Sequence, residues 1–305
     1  MRAARIHEFG GPEAVVIDEI PVPVPSEGEV LVRVKAAGVG PWDAVIREGQ
    51  SRVAPQPPLT LGSDLAGVIE SLGPGVSDFR IGDEVFGVTN PQFCGAQAEF
   101  AVARTQMLAP KPISLSFVEA AAVPVVAVTA WQMLHEYAQV EPGQTVIVLG
   151  AMGNVGFYLL RLARAAGVNV IGVGTTHDLD GIRAAGAKLA VDSNAPTSLS
   201  QLPKADAILD TVGGGLLQEY AGALKPQGRI VSVVSIEKLP LTPDVQQSFF
   251  YVDVTTSRLR SLDHVFEAGI ETRVGSVLPL AEVRMAHEML AGAPHAKGKI
   301  LLEIG

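Results

Sequence analysis

The segment TVIVLGAMGNVGFYLLRLARAAG, residues 145–167, constrains the fold more than any other stretch of the chain. Its continuous β-branched run predicts a buried strand over Thr145–Leu149, and its apolar spacing predicts an amphipathic helix from Asn154 to Ala166. Between them Gly150, Gly153 and Gly156 are spaced G-x-x-G-x-x-G, not the G-x-G-x-x-G of the usual dinucleotide loop. A parallel strand that ends in small residues and turns into a helix leaves N–H groups facing outward. The partial positive charge of the helix start adds to them, which suits a pyrophosphate. Turns that only join a strand to a helix share this spacing, so both readings stand at this point. On the first, Gly150, Met152, Gly153, Asn154 and Val155 are candidate cofactor contacts.

Three neighbouring segments favour a nucleotide. The second strand, NVIGVGTTH, ends roughly 20 residues on, where an NAD site places Asp or Glu on the ribose hydroxyls. Its tip carries Gly174, Thr175 and Thr176 instead, and hydroxyls without a carboxylate suit a 2′-phosphate, so NADP(H) is expected over NAD(H). No Lys or Arg directly follows Thr176. His177, Asp178 and Asp180 do, and Arg183, one turn further on, is either the phosphate's cation or a solvent-facing side chain. DAILDTVGG (Asp206–Gly214) and GRIVSVVS (Gly228–Ser235) end later strands in small residues, which makes Val212, Val233 and Ser235 further candidates.

At 305 residues, 48% hydrophobic and 18% charged, the chain has material for two cores. A net charge of −9 argues against nucleic acid or an anionic membrane as the main partner. The start, MRAARIHEFGGPE, lacks the pattern of a secretory signal, and the apolar run Ala120–Trp131 contains Pro124 and is too short to span a bilayer. The single cysteine, Cys94, permits no internal disulfide and no multi-thiolate zinc site. The expected setting is the cytosol.

The first third reads as β-rich. Strands are expected over Glu29–Val39, over Asp64–Val76 up to its Gly-Pro-Gly turn, and within Arg80–Val88, which together suggest a small barrel. Ser116 and Glu119 form a capping box that starts a helical stretch interrupted near Pro124. Strands then alternate with helices: Asn169–Val173, Leu179–Ala185, Leu189–Val191, Ala207–Leu209 and Arg229–Val234. This implies an α/β, doubly wound parallel sheet. The tail from Val277 reads as one helix and one strand, and periodicity alone does not assign it to either half.

In this order, HEFGGPE, GEVLVRVKAAGV, GSDLAGVIESLGPGV, GDEVFG, EAAAVPVVAVTAW, GQTVIVLGAMGNVG and KGKILLEI resemble the medium-chain dehydrogenase/reductase superfamily. The likeness is to its zinc-free quinone oxidoreductase (zeta-crystallin-like) branch. It implies a GroES-like β-barrel substrate domain from residues 1–117 and 262–305. A Rossmann NADP(H)-binding domain, 118–261, is inserted between, with substrate in the cleft and a homodimer formed through the edge of the nucleotide domain. The zinc ligands of the metal-dependent members align with Gly40, Ser63 and Val125. Two of these carry no donor atom, and a Ser hydroxyl is a poor zinc ligand, so no catalytic metal is expected. Without a Lewis acid, oxidising a plain alcohol is difficult, whereas hydride transfer to a quinone or α,β-unsaturated carbonyl needs mainly positioning. An NADPH-dependent quinone or enone reductase is therefore expected, against the alternative of an NADPH-binding sensor or structural protein with little turnover.

The resemblance also nominates residues. Gly40 stands where many quinone reductases carry Asn, and Trp42 where zinc enzymes keep a hydroxyl relay, so Trp42 is either an aromatic wall for a flat substrate or ordinary packing. Ser63 and Asp64 line the cleft or close strand ends, Phe93 is a candidate substrate contact, and Asp43 is expected to cap a turn. Thr129 matches a residue abutting the nicotinamide. FFYVD (Phe249–Asp253), with Phe250 and Val252, matches the strand whose backbone holds the carboxamide. His135, His264 and His287 fall in helical stretches and read as surface or packing residues, and Cys94 as a small buried hydrophobe. No carboxylate pair marks a general acid, which leaves water or a cofactor hydroxyl as the proton source.

Overall fold

The computed structural model describes residues 1–195, 199–234, 239–267 and 269–305. The chain divides into a first unit, Met1–Val125 with Val254–Gly305, and a second, Val126–Asp253. The boundaries thus fall inside residues 118–261. On the C-terminal side the reason is plain: the Thr256 hydroxyl donates to the carbonyls of Thr105 (3.1 Å) and Leu108 (2.7 Å), fastening residues just past Val254 to the first unit.

The first unit opens with β1 (Arg2–Ile6) and β2 (Val16–Glu19), an antiparallel pair. The long β3 (Glu29–Val39) follows, then α1 (Pro41–Arg47), β4 (Leu59–Thr60), β5 (Asp64–Leu72), β6 (Glu84–Val88), β7 (Phe100–Arg104), β8 (Leu108–Pro110) and α2 (Phe117–Ala121). β4 joins β1, giving a small sheet of order β2-β1-β4. β3 carries β5 along its length and β7 along its first half, Glu29–Arg33; irregularities after Leu31 and Val34 bend it. Val30, Val32 and Val34 are buried and Arg33 is exposed, while Leu31, on the same face as Arg33, is buried as well. The expected capping box at α2 forms, with the Ser116 hydroxyl accepting from Glu119 N–H and the Glu119 carboxylate from Ser116 N–H.

Asp43 closes the first turn of α1 as expected. Its Oδ2 accepts from Gly40 N–H at 2.8 Å, and its own N–H donates to the Gly40 carbonyl at 2.9 Å. The side chain is fully buried, and burial pushes its carboxyl up from 3.8 to about 7, against the opposing pull of the Gly40 N–H bond and the charge of Lys299.

The second unit begins within α3 (Pro124–Trp131), which runs into a π-helical turn at Gln132–Tyr137. Pro124 occupies the helix start, where a missing N–H costs nothing. Then come β9 (Thr145–Leu149), α4 (Asn154–Ala165), β10 (Asn169–Gly174), α5 (Leu179–Ala184), β11 (Leu189–Asp192), β12 (Ala205–Asp210), α6 (Gly214–Tyr220), β13 (Leu224–Ser232) and β14 (Gln246–Phe249). Their order is β11-β10-β9-β12-β13-β14, all parallel, with the sequence direction reversing between β9 and β12. This is the doubly wound arrangement whose ligand crevice lies at the carboxyl ends of the two central strands. Of FFYVD only Phe249 lies in a strand, since β14 ends there.

α4 packs on the turn after β9 through Gly156. A Cβ at that position would stand 2.1 Å from the Gly150 carbonyl oxygen, so the helix approaches the strand end only because the side chain is absent.

The chain then returns to the first unit as α7 (Thr256–Arg260), α8 (Asp263–Glu267), β15 (Val274–Pro279), α9 (Val283–Leu290) and β16 (Lys299–Glu303). β16 pairs antiparallel with Ala36–Val39 of β3 and parallel with β15, completing the order β15-β16-β3-β5-β6-β8. The tail therefore holds a second strand, β15, that its sequence does not announce.

Two measurements check this fold. Replacing Gly156 by Ala is expected to lower unfolding stability in urea by about 1–3 kcal/mol, the usual cost of overpacking. Asp43 is the second case. Because its folded value lies above its unfolded value, its contribution is complete below about pH 4 and is lost as pH rises through about 7. The stability of the wild type relative to Asp43→Asn should then fall by on the order of 2 kcal/mol between about pH 5 and pH 8. A difference that does not change with pH would contradict the buried, protonated carboxyl.

Candidate functional site

In the second unit, parallel register aligns one row of strand ends. Asp192 pairs with Gly174, Val173 with Leu149, Leu149 with Asp210, Asp210 with Ser232, and Ser232 with Phe249. Gly150, Val233 and Phe250 follow that row directly, Val212 lies two residues past it, and Gly174 stands in it, so these five sequence candidates come to one edge of the sheet. At its centre Gly150 adopts φ +75°, and a Cβ there would meet the Thr211 hydroxyl at 2.5 Å. Gly150 and Ala151 donate their N–H groups to the Val173 carbonyl at 3.1 and 2.9 Å, tying the loop to the neighbouring strand. Gly153 is the N-cap of α4 and no side chain caps the helix. The N–H groups of its first turn, Asn154 and Val155 among them, point outward without helical acceptors. Met152 lies over α5, its methyl 2.8 Å from where a Cβ of Gly181 would stand.

Asp210, which the sequence reading did not single out, shapes the next turn. It is fully buried, its Oδ1 accepts from the N–H groups of Val212 (3.0 Å) and Gly213 (2.8 Å), and its Oδ2 accepts from the Ser232 hydroxyl (2.7 Å). The turn so fixed leaves the Val212 side chain half exposed beside Gly150.

The end of β10 departs from expectation. The Thr175 hydroxyl and N–H both donate to Asp178 Oδ2, at 2.7 and 3.0 Å, and the Thr176 hydroxyl donates to Asp192 Oδ2 at 2.5 Å. Hydroxyls expected to stand free of carboxylates are each bonded to one. The Thr176 hydroxyl and the Asn194 N–H hold the Asp192 carboxyl below its usual range. Arg183 bonds Asp180 at 2.7 Å, and both side chains are exposed. Asp192 was missed because only the parallel β10–β11 pairing brings it beside Gly174.

Thr129 is buried in α3. Phe250 is buried against Tyr137 with the rings stacked 4.1 Å apart, and Asp253 N–H donates to Gln132 Oε1 at 3.0 Å. The segment containing Phe250 and Val252 therefore lies along the π-helical turn that continues α3, the helix that carries Thr129. Ser235 lies outside the described residues.

In the first unit, the residues aligned with zinc ligands have other partners. A Cβ on Gly40 would stand 2.5 Å from the Trp42 ring, so the indole fills the space that a larger residue would need. Trp42 Nε1–H donates to the Ser63 hydroxyl at 2.9 Å, and the Lys299 ammonium lies 4.0 Å from the ring centroid. Lys299 in turn bonds Asp64 Oδ2 at 2.7 Å with both side chains buried, while Asp64 Oδ1 accepts from Val125 N–H at 3.0 Å. Among the described residues no three His, Cys, Asp or Glu side chains are grouped to hold a metal ion. Lys299, 235 residues from its partner, is the member of this cluster that sequence reasoning missed.

Phe93 takes φ +59° in the loop after β6 and packs, half-buried, against the core of this unit. Burial raises the Cys94 thiol above its usual value and keeps it protonated. His287 is buried, with Nδ1 2.9 Å from Arg47 Nη1. Burial and that guanidinium hold it down to about 3, so it is a neutral packing residue; His135 is exposed.

The second unit's loop fits the diphosphate of a dinucleotide: Gly150 permits the turn, Gly156 the close approach, and the uncapped helix supplies the donors.

Residues 26–113 match the alcohol dehydrogenase GroES-like domain and residues 185–302 the zinc-binding dehydrogenase domain. The human quinone oxidoreductase is 32% identical over 99% of this chain and 97% of its own length. A 2-haloacrylate reductase from Burkholderia is 31% identical over 74% and 71%. A mycobacterial structure complexed with NADPH superposes with a TM-score of 0.85 at 27% identity, covering 99% of this chain and 100% of that one. With its parallel Rossmann-like sheet and its separate GroES-like unit, the chain belongs to the zinc-free quinone oxidoreductase branch of the medium-chain dehydrogenase/reductase superfamily.

Proposed function

We propose that this oxidoreductase reduces quinones or α,β-unsaturated carbonyls with hydride from a nicotinamide dinucleotide. The observation that carries this reading is the replacement of the metal position by Trp42, Ser63 and the Asp64–Lys299 pair, which leaves positioning as the main service to an acceptor that is already electrophilic. The activities named for the human and Burkholderia relatives, on a quinone and on an electron-poor alkene, support both acceptor classes.

When bound, the cofactor supplies the hydride; with one proton from water this gives the hydroquinone or the saturated carbonyl. The second unit acts as the nucleotide-binding domain. Gly150, Met152, Gly153, Asn154 and Val155 hold the diphosphate, Gly174, Thr175 and Thr176 meet the adenosine ribose, and Thr129, Val212, Val233, Phe250 and Val252 surround the nicotinamide end. The first unit serves the acceptor, with the Trp42 indole as its planar wall and Phe93 as a further substrate contact. The NADPH complex of the mycobacterial neighbour supports NADP(H) as an accepted cofactor. How it ranks against NAD(H) depends on the charges around Thr175 and Thr176. A homodimer is supported by β14, which stands last in the sheet among the described residues, where Tyr251 is exposed and packs edge-on against Phe249. A cytosolic setting is supported by the lone, unpaired Cys94.

Purified protein with reduced cofactor and a panel of 1,4-quinones and 2-enals should consume the 340 nm absorbance with at least one acceptor class, at a rate unchanged by prior dialysis against a chelator. No consumption across the panel would sink the reading. Trp42→Leu should lower kcat/KM for a naphthoquinone by about tenfold or more, on the order of 1.4 kcal/mol, while the dissociation constant for the cofactor stays as in the wild type.

A further inference from the structure

We propose that the carboxylates of Asp178 and Asp192 make this chain bind NADH at least as tightly as NADPH. The inference rests on the reading that the start of α4 holds a nicotinamide dinucleotide, and concerns only the far ribose. In a doubly wound sheet, that ribose is met at the end of the second strand, here β10.

Three observations carry it. The first is the direction of the hydrogen bonds. A carboxylate only accepts, so the Thr175 and Thr176 hydroxyls have committed their protons to Asp178 and Asp192 and offer incoming groups lone pairs alone. A 2′-phosphate is itself all acceptor at neutral pH and finds no donor in either hydroxyl. A ribose 2′-hydroxyl, having a proton to give, does. The second is charge. Asp178, Asp180 and Asp192 gather within the stretch Gly174–Ala195, whose basic side chains are His177, Arg183 and Lys188. Lys188 precedes β11 and so stands at the opposite end of that parallel strand, and Arg183 is bonded to Asp180. A phosphate placed there meets like charge. The third is that the arrangement is held from both sides. Asp178 is fixed as the capping-box partner of Thr175, and Asp192 is anchored through Oδ1 by the Asn194 N–H at 2.9 Å.

The test is direct binding to the full-length protein, with dissociation constants for NADH and NADPH measured by calorimetry at low salt and at about 0.3 M salt. NADH is expected to bind as tightly as NADPH or more tightly at low salt, with the gap narrowing at high salt as repulsion is screened. Asp192→Lys, at a half-buried strand end, should tighten NADPH by about tenfold relative to NADH, and the Asp178→Asn/Asp192→Asn double variant should shift the ratio the same way. Circular dichroism establishes that each variant is folded; should the double variant lose its helix cap and unfold, the wild-type constants and Asp192→Lys still decide. Tighter binding of NADPH than NADH by the wild type overturns this inference and leaves the functional reading standing. Binding of neither cofactor overturns both.

Discussion

Asp64 and Lys299 meet at 2.7 Å in a place almost free of water, and neither charge is tolerable there without the other. Removing one partner of such a pair typically costs about 3–5 kcal/mol, whereas a matched apolar pair would often do as well for stability. What the ion pair adds is arrangement. It ties the first residue of β16 to the first residue of β5, and through Asp64 Oδ1 it also holds the N–H of Val125 near the start of α3. Gly38 on β3 makes room for it, since a Cβ there would stand 2.8 Å from both side chains. The ammonium that satisfies Asp64 then lies on the Trp42 face, and Ser63, next in sequence to Asp64, receives the indole N–H. One buried charge thus determines where an aromatic plane stands.

The second unit uses charge in the opposite way at two ends of one crevice. The start of α4 has no acidic residue in its first turn and no capping side chain, so backbone dipoles face outward unopposed. At the end of β10 the outward groups are carboxylates, each already accepting a threonine proton. Backbone donors favour acceptor groups at the first, and carboxylates oppose further negative charge at the second. The chain's net charge of −9 makes neither arrangement inevitable; placement within a few residues of each strand end does.

Much of this fold was readable from local pattern. The strand Thr145–Leu149 and the helix from Asn154 came out as expected because a fully buried parallel strand and an amphipathic helix leave unambiguous periods. The capping boxes at Ser116 and the break at Pro124 are equally local. What was not readable depends on partners distant in sequence. Thr176 looked free of carboxylates because Asp192 joins it only through strand pairing, and Lys299 looked like part of a closing strand because Asp64 lies near the other end of the chain. β15 carries only half-buried residues on one face, which left little alternation to see, and FFYVD is apolar for packing on Tyr137 rather than for continuing β14.

The same geometry narrows the chemistry. Reducing a plain ketone needs something to take up the charge developing on oxygen, a metal or a well-placed acid. In the first unit, three groups of that kind that lie near Trp42 or are buried are already engaged. Lys299 is bound to Asp64 and lies against an indole, burial keeps Cys94 a thiol, and Asp43 is sealed into a helix cap. An acceptor that delocalises the incoming electron pair over its own π-system asks for none of these. It needs a flat surface held still, and the cation beneath Trp42 and the hydroxyl at its edge hold one in place.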